Sequence, residues 1–223
     1  MPPIIAAAVF AVGIMGLFLL DRDPQARTSK ALWIPVFWLL INGSRPVSEW
    51  LQMGPVLDSP DAVMDGSPLD ARVFALLLVA GFGVMALRSR RVGTILRANA
   101  PLIIFVLYCA ISVLWSDFPF VALKRWTKSL ADVIMVLIVL TDPDQKTAIK
   151  RLLARTSFIL LPVSILLIKY YPDLGRGYDR WEGTMRLVGV TTNKNSLGMI
   201  CLILGLGALW RLLNVLRSEK SSY

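Results

Sequence analysis

The chain contains no histidine. The side chain that most often serves as a general base near neutral pH and as a metal ligand is therefore missing, and neither a metal nor another cofactor is expected. Cysteine is almost as scarce. Cys109 and Cys201 each lie alone in an apolar run, with no partner at metal-ligand or redox spacing, so both read as small packing residues. Charge is thin as well: 17% of the 223 residues are charged and 56% are hydrophobic, a balance outside the usual range of water-soluble domains. Acids are fewer than bases, 15 against 24, leaving a formal net charge of +9. A nucleic-acid footprint would gather those cations on one face of a folded domain. Here they fall in short bursts between apolar runs, so no nucleic-acid partner is expected.

The apolar runs set the fold class. A helix crosses a hydrocarbon core with about 20 residues, and candidate runs lie near residues 3–20, 29–43, 71–87, 98–115, 127–141, 156–171 and 196–213. The expectation is an all-α, polytopic integral membrane helical bundle of about seven transmembrane helices, forming a single membrane domain over residues 1–223. The first run has no basic region ahead of it and no small-residue cleavage pattern before Asp21, so it reads as a span rather than a secretory signal. The second is short and rich in Trp and Pro, and is either tilted or only partly inserted.

Lys and Arg in short loops orient such a bundle, because they are retained on the cytoplasmic side. They cluster at Arg22 to Lys30, Arg88 to Arg97, Lys146 to Arg155 and Arg211 to Lys220, which places those four regions inside. The alternate loops, 44–70, 116–126 and 172–195, then face outward. The first of these is acidic, with Glu49, Asp58, Asp61, Asp65 and Asp70 against Arg45.

The last outward loop breaks the trend, because it carries Arg176, Arg180, Arg186 and Lys194. Two readings stand open. The cations pair with Asp173, Asp179 and Glu182 in a solvated loop, or they form an anion site, since guanidinium groups grip diphosphate oxygens in bidentate fashion. Backbone amides at a helix start near Asn195 or Ser196 would add to such a site, although Asn193, Asn195 and Ser196 are equally suited to plain helix capping. On the same side, Lys124, Arg125 and Lys128 open the fifth run, where they either snorkel to lipid headgroups or join Arg186 in one outward-facing cationic basin, and Trp115 and Trp126 suit an interfacial aromatic belt. Asp132, inside that run, is expected to pair with Lys128 one turn back or to be protonated.

Three groups of residues carry a family resemblance: Ser44-Arg-Pro-Val-Ser-Glu-Trp50 with Gly66-Ser-Pro-Leu-Asp70; Leu114-Trp-Ser-Asp-Phe-Pro119 followed by Lys124-Arg125; and Arg186-x-x-Gly189 with Asn195-x-Leu-Gly198. In this order and membrane context the chain resembles the N-terminal half of the O-antigen ligase and polysaccharide polymerase superfamily, in particular its exopolysaccharide production branch. The resemblance implies glycosyl transfer at the outer face of a bacterial inner membrane, without a metal. The donor is a polyprenyl-diphosphate-linked glycan and the acceptor a glycan or lipid, among membrane lipids and other polysaccharide assembly proteins. It implies a catalytic role for Arg186, which matches the family's R-x-x-G pattern, by stabilising charge on the leaving diphosphate. Arg125, Arg180, Lys194 and Asn195 are implied contacts to diphosphate or sugar.

Members of that superfamily continue through further spans and a large outer loop that supplies another arginine and often a histidine. This sequence ends at Tyr223 without either, so a truncated or partial form is expected, binding lipid diphosphate weakly and not transferring sugar alone. The alternative is a non-catalytic scaffold subunit of a polysaccharide assembly or export complex. A transporter fits less well, since Asp132 is the one clear acid inside a span and ion paths need several.

Overall fold

The computed structural model describes residues 1–21, 28–53, 66–179 and 183–220. Arg22, Arg27, Asp58, Asp61, Asp65, Arg180 and Glu182, and the side chains of Arg217 and Lys220, lie outside what it describes. The elements in order are α1 (Pro3–Leu20), a 3-10 turn (Lys30–Leu32) leading into α2 (Trp33–Asn42), α3 (Val47–Trp50), α4 (Pro68–Leu87), α5 (Ser89–Ala98), and α6 (Ala100–Ser112) with a 3-10 turn (Val113–Trp115). Then come α7 (Pro119–Leu140), α8 (Gln145–Tyr170), the single turn α9 (Pro172–Gly175), strands β1 (Arg176–Tyr178) and β2 (Met185–Leu187), and α10 (Lys194–Lys220). The hairpin of β1 and β2 is the one departure from helix in the expected class among the described residues.

The chain is a helical membrane protein. Helix α1 is apolar all round, yet buries only Ala6 of its 18 residues against protein, and such a helix is at home in lipid. Four helices (α1, α4, α8 and the Lys194–Asn214 part of α10) are long and apolar enough to cross, and a fifth crossing follows if α5 and α6, bent by 92°, count as one. All seven expected runs are helical, but two fall short as spans. The Lys30–Asn42 helix is short, and α7 carries Lys124, Arg125, Lys128 and Asp132.

Contacts group the chain into two compact units. The first comprises Met1–Arg27, Leu39–Arg45 and Lys146–Tyr223. Its core is Leu160, Leu167, Val190 and Leu204, flanked by half-buried Tyr171 and Ile200. Helix α10 approaches α8 through Gly207, where a Cβ would stand 3.0 Å from Leu153 Cδ1. Gly207 thus serves helix contact within the chain. Edge-on rings, Phe10 with Tyr170 and Phe18 with Phe158, tie α1 to α8.

The second unit comprises Thr28–Trp38 and Pro46–Gln145. Its core is Trp38 with Ala131, Ile134, Met135 and Ile138 of α7, and α4 joins through Gly81, where a Cβ would lie 2.8 Å from Ile134 Cγ2. One corner is held by Arg88, which donates to Ile138 O at 3.0 Å, Thr141 Oγ1 at 3.2 Å and Ser29 Oγ at 2.5 Å. It also faces Asp142 at 3.7 Å, a carboxylate whose side chain is 0% exposed and which accepts from Ser29 N at 3.2 Å. Asp132 takes a partner other than Lys128: the Trp38 indole N–H donates to its Oδ1 at 2.7 Å. A buried indole N–H needs an acceptor, and Asp132 supplies it, while Lys128 Nζ sits 5.0 Å from the Phe74 ring centroid.

Candidate functional site

The site is built where α8 ends and α10 begins, in the first unit. The last carbonyls of α8 have no helical partner, and the following loop is folded back onto them. Gly175 permits the approach, since a Cβ there would fall 2.3 Å from the Leu167 backbone carbon. Arg176 Nε donates to Ile168 O at 2.9 Å, so a cation caps the negative end of α8. Arg45 closes the arrangement from the end of α2. It is 8% exposed, its backbone N–H donates to Val190 O at 3.1 Å, its Nε to Thr191 O at 3.2 Å and its Nη2 to Leu174 O.

On that platform stands the hairpin, with Gly177 opposite Arg186 and Tyr178 opposite Met185. Side chains alternate faces along a strand, which puts Asp179 and Arg186 on one face as diagonal neighbours. They form an ion pair through Arg186 Nη2, with Arg186 37% and Asp179 10% exposed. Of the two open readings of this loop, pairing is therefore realised at Arg186, and Asp179 is the acid chosen. The guanidinium has five N–H donors, and this contact engages one nitrogen. The R-x-x-G pattern also gains a backbone reason. Gly189 has φ +56, and a Cβ there would lie 2.9 Å from Ser164 Cβ, while Ser164 Oγ accepts from Val190 N at 3.3 Å.

Helix α10 lies against β2 and starts one residue earlier than the sequence suggests. Asn193 is its cap: its Oδ1 accepts from Ser196 N at 2.9 Å. Asn195, expected as the helix-start group, is instead an exposed first-turn residue beside exposed Lys194. The difference follows from Thr191, buried and within 2.8 Å of both Val188 O and Asn193 O, which fixes the chain so that residue 193 occupies the cap. No acid sits in the first turn of α10. Lys194 thus places a cation at the positive end of the helix dipole, where an anion is the favoured neighbour.

Arg125 belongs to the second unit. It is exposed on α7 and lines a cleft of ≈ 510 Å³ with Ser112, Ser116, Trp126 and Ser129. Trp126 does more than face an interface, because its indole donates to Val106 O at 3.0 Å and ties α7 to α6. Trp115 is 62% exposed, as a belt residue would be. The first resemblance group also proves to be a contact: Asp70 accepts from Ser48 N at 3.0 Å and from Ser48 Oγ at 2.5 Å. Arg180 lies outside the described residues. No cluster of metal-ligating side chains occurs among the described residues.

Compared with known proteins, the chain is similar to the exopolysaccharide production protein ExoQ of Rhizobium meliloti (strain 1021). The two are 30% identical over 94 residues, which is 42% of this chain and 20% of that protein. The chain thus matches about a fifth of that relative's length. No family model matches the chain. No solved structure matches it.

In the sequence Arg45 is a loop charge and a member of the first resemblance group with no role of its own, and the structure gives it the central clamp. Its signal was weak, a lone cation among acids in the 44–70 loop. Asp179 was one of three candidate acids, and the alternation of faces about Gly183 (φ +63) could have singled it out.

Proposed function

We propose that this chain acts in exopolysaccharide production in a bacterial inner membrane, on a polyprenyl-diphosphate-linked glycan at the outer face. The Arg186 guanidinium, held by Asp179 on the hairpin, is the carrying observation. Arg186 and Lys194 then contact the diphosphate, with Asn195 nearby for sugar hydroxyls and Arg180 as a further contact. In the transfer, an acceptor hydroxyl oxygen bonds to the anomeric carbon as its proton passes to water or to the departing diphosphate, the bond from that carbon to diphosphate oxygen breaks, and the lipid diphosphate leaves with the electron pair. Guanidinium donors aimed at that oxygen lower the barrier, because they meet charge as it develops. On this reading the short Lys30–Asn42 helix and α7 cross as well, giving seven spans. Reporter fusions at residues 50 and 183 then report the outer side, and cytoplasmic reporter activity at 183 sinks the reading.

Support comes from the similarity to ExoQ, the exposed share of Arg186 and the acid-free start of α10. The ion pair also favours a second reading, a scaffold in which Arg186 and Asp179 only brace the hairpin. Polymer yield in a deletion strain carrying Arg186→Ala or Asp179→Asn separates the two. If Arg186 meets the diphosphate, Arg186→Ala loses polymer about 100-fold at normal protein level, while Asp179→Asn keeps a cation in place and retains most of it. Equal effects of the two variants, or unchanged polymer in Arg186→Ala, reject the chemical role.

A further inference from the structure

We propose that α5 lies in the plane of the cytoplasmic leaflet and holds anionic glycerophospholipid through Arg90 and Arg97. Three observations converge on this ten-residue helix, which sequence reading left as a charged loop. The first is direction: α5 and the apolar run Ala100–Trp115 meet at 92°, so where that run crosses the bilayer, α5 runs along its surface. The second is sidedness. At 100° per residue, Arg90, Thr94 and Arg97 share one face and are exposed, while Val92, Ile95 and Leu96 share the opposite face and are half-buried. A strong division of this kind in a helix of low overall hydrophobicity suits an interface rather than a span.

The third is charge. No Asp or Glu occurs between Asp70 and Asp117, so α5 lacks the acids that would satisfy its cations along the helix. Two neighbours are used internally: Arg88 on its corner, and Arg91, whose Nη1 donates to Thr141 O at 3.2 Å. These bonds fix the start of the helix to the protein. Arg90 and Arg97, two turns apart, make no ion pair among the described residues. The four arginines from Arg88 to Arg97 mark this end as cytoplasmic, where anionic headgroups are available.

The test uses the purified full chain in mixed micelles of phosphatidylglycerol and phosphatidylcholine, with retained lipid counted by native mass spectrometry. Wild type retains phosphatidylglycerol preferentially. Each arginine near an anionic surface accounts for roughly fivefold in affinity, so the Arg90→Gln/Arg97→Gln variant loses the preference by about thirtyfold. Arg90→Lys/Arg97→Lys keeps most of it, and Arg72→Gln, at the far end of α4, leaves it unchanged. Millimolar inorganic phosphate does not displace the lipid, which separates a headgroup at the membrane surface from a free phosphate. Should the double Gln variant fail to fold, Arg97→Gln alone carries the comparison, with a roughly fivefold loss expected. Retention in the Gln variants equal to wild type overturns the proposal and leaves an acidic protein partner as the occupant of that face. Displacement by phosphate overturns it as well.

Discussion

Two arginines, Arg45 buried and Arg88 half-buried, organise this molecule, and they do so differently. At the corner of the second unit, Arg88 gathers the end of α4, the end of α7 and Ser29, and it faces the fully buried Asp142. At the hairpin end of the first unit, Arg45 gathers α2, α9 and the Val190–Thr191 turn through backbone carbonyls. The corner brings its own anion and is close to electrically complete. The hairpin end spends Arg45 and Arg176 on carbonyls, pairs Arg186 with Asp179, and leaves exposed Lys194 at the positive end of a helix. An arginine beside a buried aspartate is a brace, whereas the cations on the hairpin platform are the ones that the proposed function assigns to an anion.

Breaking the corner should cost most. Arg88→Ala leaves Asp142 buried without its cation, so a loss of about 3–5 kcal/mol is expected, read as the unfolding midpoint of purified protein in detergent. Removing both charges in Arg88→Ala/Asp142→Ala should recover part of that loss. If the double variant is as unstable as the sum of the singles, the corner is not an ion-pair brace and the contrast fails. Arg45→Ala should cost about 1.5–3 kcal/mol, the range for bonds from a charged donor, and should also lower polymer yield by loosening the platform under Arg186. A loss equal to that of Arg88→Ala would erase the distinction between the two arginines.

Smaller effects sharpen the picture. Gly189→Ala forces an L side chain into the left-handed region at a cost of about 1–2 kcal/mol, on top of its approach to Ser164. Adding Ser164→Gly, which removes the Cβ met at 2.9 Å, should relieve part of the steric cost and leave the conformational part. Ser48→Ala removes one hydrogen bond to Asp70 and should cost about 1 kcal/mol, with no change in polymer. Asp179→Asn should alter stability least, because the pair is partly exposed and such pairs contribute little; a large loss of midpoint would move Arg186 from the binding group to the braces.

Much of the fold was legible along the chain. All seven apolar runs are helices, with ends within a few residues of expectation for α1 and α4, because transfer of a helix into lipid depends on local composition. The resemblance groups were visible as residues but not as contacts. Ser48 meets Asp70 across 22 positions, and Gly189 matters because Ser164 lies beside it. Helix α5 escaped notice because its arginines raised its polarity, and a turn of 92° leaves no mark in a run of cations. The candidate site was half legible: Arg186 and Lys194 stood out as cations in a loop expected to face outward, while Arg45 did not stand out.

The sequence by itself determined the class of molecule: a helical membrane protein without histidine chemistry, with its cations sorted into short bursts between apolar runs. That sorting is a property of composition, since burying apolar surface and keeping charge in water act residue by residue. Only the tertiary structure decided which cation meets which partner. Arg45 reaches Leu174 across 129 positions, Arg186 selects Asp179 through the faces of a three-residue hairpin strand, and Arg88 finds Asp142 at a helix corner. Partner choice over such separations depends on where packing places each backbone, and within a few ångströms that placement decides whether an arginine holds the fold together or remains available to an anion.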